Sequence, residues 1–331
     1  MLISKPSYYD SFRCIASRCP DSCCKEWEVQ VDDAAAAYYR AVPGALGDRL
    51  RQVLREEDGC SVMTIENGRC PMWREDGLCR IQAELGEDAL CQVCRDFPRL
   101  RHDYGDFVEL GLELSCPEAA RILFSAPVLP PVFEEISGGE EPEYDTEAMA
   151  SLKASRNIAL SLLEADFSVN QRLALLLLYG YQAQEELDGQ DPRRFDCAAA
   201  LESAGEFAKP GSIRDIAGFF RNLEILTGGW TPLLCRAAES PLSPHCIPLA
   251  RYLIERYWLQ AVSDYDLACR VKFIIISCLL VSSLPGDFVA NAQLFSKEIE
   301  NNCENVEAIL DAAYSETVFT DDKLLGILLN F

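Results

Sequence analysis

The segment CIASRCPDSCCKEW, residues 14 to 27, carries four thiols: Cys14, Cys19, Cys23 and Cys24. Thiolates are nucleophiles and soft metal ligands, so their role depends on which other groups the fold brings to them. Cys60, Cys70, Cys79, Cys91, Cys94 and Cys116 follow, and ten of the sixteen cysteines thus lie in the first 116 residues. The amino-terminal MLISKPSYYDSFRC has no apolar run of signal-peptide length and no small-residue cleavage site, which points to a reducing, cytoplasmic setting. There, clustered cysteines bind metal or do chemistry more often than they form disulfides.

Spacing narrows the chemistry. Cys19 and Cys23 are four apart and Cys91 and Cys94 three apart, so each pair shares one face of a helical turn and the two pairs supply four soft ligands. The second pair is expected on a short helix that starts near Glu87 and ends before Pro98. Between the pairs, Asp76-Gly77 favours a tight turn, and Cys70 and Cys79 then reach one centre only if the whole loop curls round it. The adjacent Cys23 and Cys24 diverge by about 100° on a helix, so one of them faces a second centre or a multinuclear cluster. An all-thiolate set suits zinc or an iron–sulfur cluster and leaves the choice open, while magnesium and calcium want oxygen ligands. With His102 and His245 as the two histidines, a histidine-rich catalytic metal site is not supported. The basic stretch CRDFPRLRH would activate Cys94 as a lone nucleophile, but metal ligation accounts for its neighbours as well.

The elements that position these thiols divide the chain. Residues 1–125 form the cysteine-rich part, and 126–146, with four prolines, a Gly-Gly pair and an acidic run, read as a linker or surface loop. From 147 to 331, apolar residues recur at three- and four-residue spacing, which predicts a bundle of six to eight helices. Cys197, Cys235, Cys246, Cys269, Cys278 and Cys303 lie there among apolar neighbours and read as small buried hydrophobes. Val271–Leu284 is too short to span a bilayer and ends at Pro285, so a buried helix is expected. The fold class is mainly α, an irregular metal-knotted cysteine domain packed on an α-helical bundle.

Charge and missing motifs limit the partners. A formal net charge of −23 argues against nucleic acid and anionic membranes and favours cationic protein surfaces. There is no phosphate-binding Gly-rich loop, no dinucleotide fingerprint and no H-E-x-x-H.

Three blocks, FRCIASRCPDSCCKEWEVQVD, GRCPMWREDGLCRIQAELGEDALCQVCRDFPR and LELSCPEAARILF, in this order over residues 5 to 125, resemble the flagellin lysine-N-methylase family of bacteria. More distantly they resemble a broader group of zinc- or iron-chelating cysteine domains. The resemblance implies an iron–sulfur cluster, of the 4Fe-4S kind, or zinc, and methyl transfer from S-adenosylmethionine to exposed lysines of a protein substrate such as flagellin. Its implied ligands are Cys14, Cys19, Cys23, Cys24, Cys70, Cys79, Cys94 and Cys116, with Cys91 a looser match and Cys60 outside the motif. Such chemistry needs a group that deprotonates and orients the amine; Glu26, Asp32, Asp96, Tyr8, Tyr9 and Tyr104 are the candidates beside the cysteines. Trp27 and Trp73 would offer aromatic walls to the sulfonium and the lysine stem. Two other readings remain: a zinc or iron–sulfur module that docks a partner protein without catalysis, and a sensor of iron or redox state.

Overall fold

In a computed structural model the protein is described over residues 1–25, 28–57 and 59–329. Among these residues it is mainly helical, with seven short strands: β1 (Leu2–Lys5), β2 (Val29–Val31), β3 (Leu54–Glu57), β4 (Cys60–Met63), β5 (Arg99–Asp103), β6 (Phe107–Leu112) and β7 (Val132–Glu135). They form two sheets, β5-β6-β1-β7 and β2-β4-β3. In the larger sheet β1 runs parallel to β6 and antiparallel to β7, with Leu2 opposite both Phe107 and Glu135. The segment expected as a linker or surface loop therefore supplies an edge strand. The Met1 ammonium fixes the chain beyond that strand by donating to the carbonyls of Ile136 (3.1 Å) and Gly138 (2.8 Å).

The β5–β6 hairpin turns at Gly105, whose φ of +87° suits glycine, and the Asp103 carboxylate accepts from the Gly105 amide at 3.0 Å. The bundle helices start where short polar side chains cap them. Asp145 accepts from the Glu147 and Ala148 amides at the start of the helix Thr146–Leu162. Ser168 and Gln171 form a reciprocal capping box on Val169–Leu187.

Ten α-helices lie between Thr146 and Leu329 among the described residues, against the six to eight expected. The excess comes from short pieces such as Trp230–Leu234, which no apolar period marks out. The stretch expected as a buried helix is one: Leu267–Ser283 is buried on every side, with Phe273, Ile274, Ile275 and Ile276 wholly inaccessible. No helix of the described residues is long and apolar enough to cross a membrane.

One large core unites the helices and also takes in Phe107, Leu114, Ala120 and Leu123 from the first 125 residues. A second core gathers Val29, Val31, Tyr39, Leu50, Met63, Met72 and Ile81 with the buried Cys70 and Cys91. A third, of Phe12, Leu112, Cys116, Ala119 and Ile122, lies beneath the first cysteine loop. Of the six later cysteines, Cys246, Cys269 and Cys278 are buried as expected, whereas Cys197 is half-buried and Cys235 and Cys303 are exposed, against that expectation.

Candidate functional site

The cysteine-rich part is held by loops pinned at a few points. Ala16–Arg18 is a single 3-10 turn that leaves Cys19 extended, so Cys19 and Cys23 do not share a helical face as the spacing suggested. The second pair follows expectation in part: the helix ends at Asp96, before Pro98, and carries Cys94, but it starts at Gln92 rather than near Glu87, which begins a separate 3-10 turn, and Cys91 is its extended N-cap. The loop between Cys70 and Cys79 does curl. Its turn places Trp73 opposite Cys79, and the Cys70 amide donates to the Cys24 carbonyl at 2.8 Å, tying the second block to the first.

Six thiols meet around this loop. Cys23 hydrogen-bonds Cys24, which raises the Cys23 pKa. That bond favours the Cys24 thiolate, but a bond shared with Cys70 and burial outweigh it and push Cys24 up to about 12. Cys70 is correspondingly lowered. Cys94 bonds Cys91, which lowers Cys91 to about 7 and raises Cys94, the opposite of an activated nucleophile at Cys94. Burial raises Cys79, and the charges of Cys23 and Cys91 add to it. A second group adjoins at Cys23: burial raises Cys19, beside Cys14 and Cys23, and pushes Cys116, beside Cys19 and Cys23, up to about 12. All sixteen cysteines are free thiols. Among the described residues no group of three or more His, Cys, Asp or Glu side chains is close enough to hold a metal ion. The donor chemistry nonetheless fits zinc or an iron–sulfur cluster: soft, mostly sheltered sulfurs gathered as hydrogen-bonded pairs, with the pairs near one another. Exposed Cys60, on β4, stands outside both groups.

The other residues singled out from the sequence are dispersed. Asp32 has a structural role, accepting from Ala35 N at 3.0 Å and Gln92 N at 2.8 Å and so capping two helices at once. Asp96 is exposed at the end of its helix. Trp73 is already engaged by the chain's own cations: the Arg69 guanidinium is 4.0 Å from the ring centroid and Lys25 Nζ 5.3 Å, which leaves little of it for a sulfonium. Tyr8 and Tyr9 pack against the core beneath the first cysteine loop, and burial raises both pKa values. Glu26 and Trp27 lie outside the described residues.

Tyr104 has a different setting. It lines a cleft of about 1140 Å³ built from the β5–β6 turn, the segment 139–145 and the turn after Gln260. Tyr104 stacks on Phe107 at 4.6 Å, and Tyr144 meets it edge-on at 6.3 Å. The Tyr144 hydroxyl donates to Asp106 at 2.6 Å and that of Tyr265 to Asp145 at 3.2 Å. Burial raises Tyr104, so it stays a neutral phenol. In the same wall His102 has a buried Nε2 without a partner, and burial together with Arg256 lowers its pKa, so the imidazole is neutral. Exposed Glu140, Glu141 and Glu143 form the rim. The rim belongs to the segment expected as a linker or surface loop and is an exposed loop; its signal as a cleft wall was the acidic run next to Tyr144.

Beneath the first cysteine loop runs a buried polar seam. Ser296–Glu300 forms a π-turn, and all five of its residues are buried. Glu300 accepts from Tyr252 and Tyr257 (3.2 and 3.1 Å) and pairs with Arg256 at 3.2 Å. Gln293 donates to the Ser115 carbonyl at 2.6 Å, and Lys297 pairs with Asp21 at 3.1 Å.

Fold and site together define a mainly helical protein with a loop-built, thiol-lined lobe and a separate acidic, aromatic cleft. Over 132 residues, 38% of its length, the chain is 33% identical to the flagellar biosynthetic protein FliU of Salmonella muenchen and covers 78% of it. It belongs to the family of that protein. It is also 32% and 30% identical over 132 residues to the lysine-N-methylases of Salmonella typhimurium and Salmonella choleraesuis, spanning 33% of the length of each. No family model matches the chain. No solved structure matches it.

Proposed function

We propose that the protein transfers methyl groups from S-adenosylmethionine to lysine side chains of a flagellin-like protein, and that its thiol-lined lobe holds an iron–sulfur cluster or zinc. The observation that carries the reading is the likeness to two lysine-N-methylases, joined by the flagellar name of the third relative. The sulfonium cofactor supplies an electrophilic methyl group. The chain's own part is to bind the acceptor lysine, strip its proton and hold the amine in line. The cleft is suited to that: Glu140, Glu141 and Glu143 attract the ammonium, and Tyr104 and Tyr144 offer ring faces to its stem. His102 stands in the same wall, held neutral by burial and Arg256 with Nε2 buried and unpartnered, and the acceptor's proton leaves past the rim carboxylates.

In the lobe, Cys23, Cys24, Cys70, Cys79, Cys91 and Cys94 would hold the metal centre, with Cys14, Cys19 and Cys116 as the adjoining set. The roles found for Asp32 and Trp73 favour a second reading of that lobe, in which its metal is a scaffold and takes no part in catalysis.

The test is anaerobic purification with iron, sulfide and zinc analysis and an absorption spectrum, followed by incubation with S-adenosylmethionine and flagellin. Methyl-lysine detected by mass spectrometry supports the transferase, and bound iron with sulfide supports the cluster. A metal-loaded protein that leaves flagellin unmodified would overturn the enzymatic reading and leave the scaffold.

A further inference from the structure

We propose that an extended, lysine-bearing segment of a protein partner adds as a further strand to the free edge of β7 and delivers its ammonium into the cleft beyond that strand's end. The proposal rests on the methyl-transfer reading only for what then happens to the ammonium; the docking stands on geometry.

β7 closes its sheet on one side, with β1 as its neighbour among the described residues. All four of its residues are exposed. Val132 is 41% and Phe133 58% exposed, and Val128, Leu129 and Ile136 beside them are 58%, 58% and 41% exposed. Five large apolar side chains thus face solvent within nine residues, next to unpaired backbone groups. Such an edge is a template for another strand unless charge or proline blunts it. Pro130 and Pro131 blunt only the approach to the strand and Glu134 is paired with Lys5, so the free charges here are carboxylates, Glu135 on the strand and Glu140, Glu141 and Glu143 beyond it, in a chain of net charge −23. Pairing with a second copy would bring two acidic edges together, whereas a basic strand meets opposite charge.

The register ties the edge to the cleft. Glu135, the last residue of β7, lies opposite Leu2, and the preceding Met1 is itself part of the cleft wall. The Met1 ammonium holds Ile136 and Gly138, so the chain passes directly from the strand into the rim at Gly139 to Glu141. At roughly 3.3 Å per residue, a strand paired along β7 needs only one or two further residues to carry a side chain into the cleft. Tyr104, Tyr144 and Tyr265 wait there with Glu140, Glu141 and Glu143, which make no ion pair among the described residues. Apolar side chains of the added strand would cover Phe133 and Leu129, and a lysine past its end would meet the carboxylates.

The test uses the full chain and three fluorescein-labelled hexapeptides, measured by fluorescence anisotropy: alternating valine and lysine, the same peptide with alternate backbone nitrogens methylated, and valine alternating with glutamate. The lysine peptide should bind, with at least a tenfold loss for the N-methylated peptide, for Phe133→Ser with Leu129→Ser, and for the triple change Glu140→Gln, Glu141→Gln, Glu143→Gln. Equal binding of the N-methylated peptide, undiminished binding to the Phe133 and Leu129 variant, no binding of the lysine peptide, or self-association through Phe133 would each overturn the proposal. Adding S-adenosylmethionine separates the two ideas. A peptide that binds through β7 without being methylated sinks the transferase and supports the docking; one methylated equally by the β7 variant sinks the docking and spares the transferase.

Discussion

Asp21, in the first cysteine loop, and Lys297, in the buried π-turn, form an ion pair of 3.1 Å across 276 positions of sequence. The pair is sheltered, with side chains 26% and 11% exposed, and Lys25 and Gln293 reach the same carboxylate, each at 3.4 Å. It anchors the loop that carries Cys14, Cys19, Cys23 and Cys24 onto the helical bundle.

That anchor sets a pH dependence. Burial alone would raise the Asp21 carboxyl, but Lys297, the Ser22 amide and Lys25 outweigh it and hold the pKa below the ordinary 3.8. A depressed carboxyl contributes stability that is complete above its unfolded pKa and is lost as pH falls through the folded one. Asp21→Asn should therefore cost about 1 to 3 kcal/mol at pH 7 and progressively less below pH 4, read from urea unfolding at each pH.

The thiol groups predict a selective loss of metal. Cys24→Ser and Cys91→Ser should each lower the metal bound per chain, measured by elemental analysis, whereas Cys60→Ser should not, since Cys60 lies apart on β4. Chelation should speed hydrogen exchange around Val29, Tyr39 and Met63 while the far-ultraviolet helical signal persists, because the helices pack on a different core from those three residues. Equal metal loss from Cys60→Ser would refute this assignment.

Glu298 is inaccessible to solvent and accepts from the amides of Leu226 (2.8 Å) and Thr227 (2.7 Å) and from the Thr227 hydroxyl. Glu298→Ala strands those buried donors, at about 1 to 3 kcal/mol each. The loss should be at least about 3 kcal/mol, and a denaturation midpoint close to wild type would show that the loop re-forms its bonds elsewhere.

Gly180 lies where the helix Val169–Leu187 meets Leu267–Ser283: an added Cβ would come 2.7 Å from Val271 Cγ1 and 2.9 Å from Val271 Cβ. Alanine improves helix propensity by about 1 kcal/mol, but overpacking a stiff β-branched neighbour costs about 1 to 3. Gly180→Ala should thus fail to stabilise and cost up to about 2 kcal/mol in calorimetry, against the sign that propensity alone implies.

A fragment beginning at residue 147 should fold poorly. It strips Phe107, Leu114, Ala120 and Leu123 from the helical core, and losing a buried side chain of the larger kind costs about 2 to 5 kcal/mol. Three such losses rival the 5 to 15 kcal/mol that hold a typical domain. A sharp, cooperative melt from the fragment would show instead that the bundle is self-sufficient.

The sequence by itself determined what depends on neighbours along the chain. The continuous apolar run within Leu267–Ser283 made a buried helix, Pro98 stopped the helix that carries Cys94, and the spacing of Cys91 and Cys94 put their sulfurs in contact. What tertiary structure decided was which distant segments meet. Cys24 met Cys70 because the two loops share a backbone hydrogen bond, which no spacing rule encodes. Asp32, beside the cysteines in sequence, became a double helix cap, since its carboxylate lay next to a second helix start 60 positions away. The acidic run after residue 138 reads as linker or surface loop because it has no apolar period. It became a cleft wall only when Met1 pinned it beside Tyr104, a contact at the end of the neighbouring strands β1 and β7 rather than any local preference.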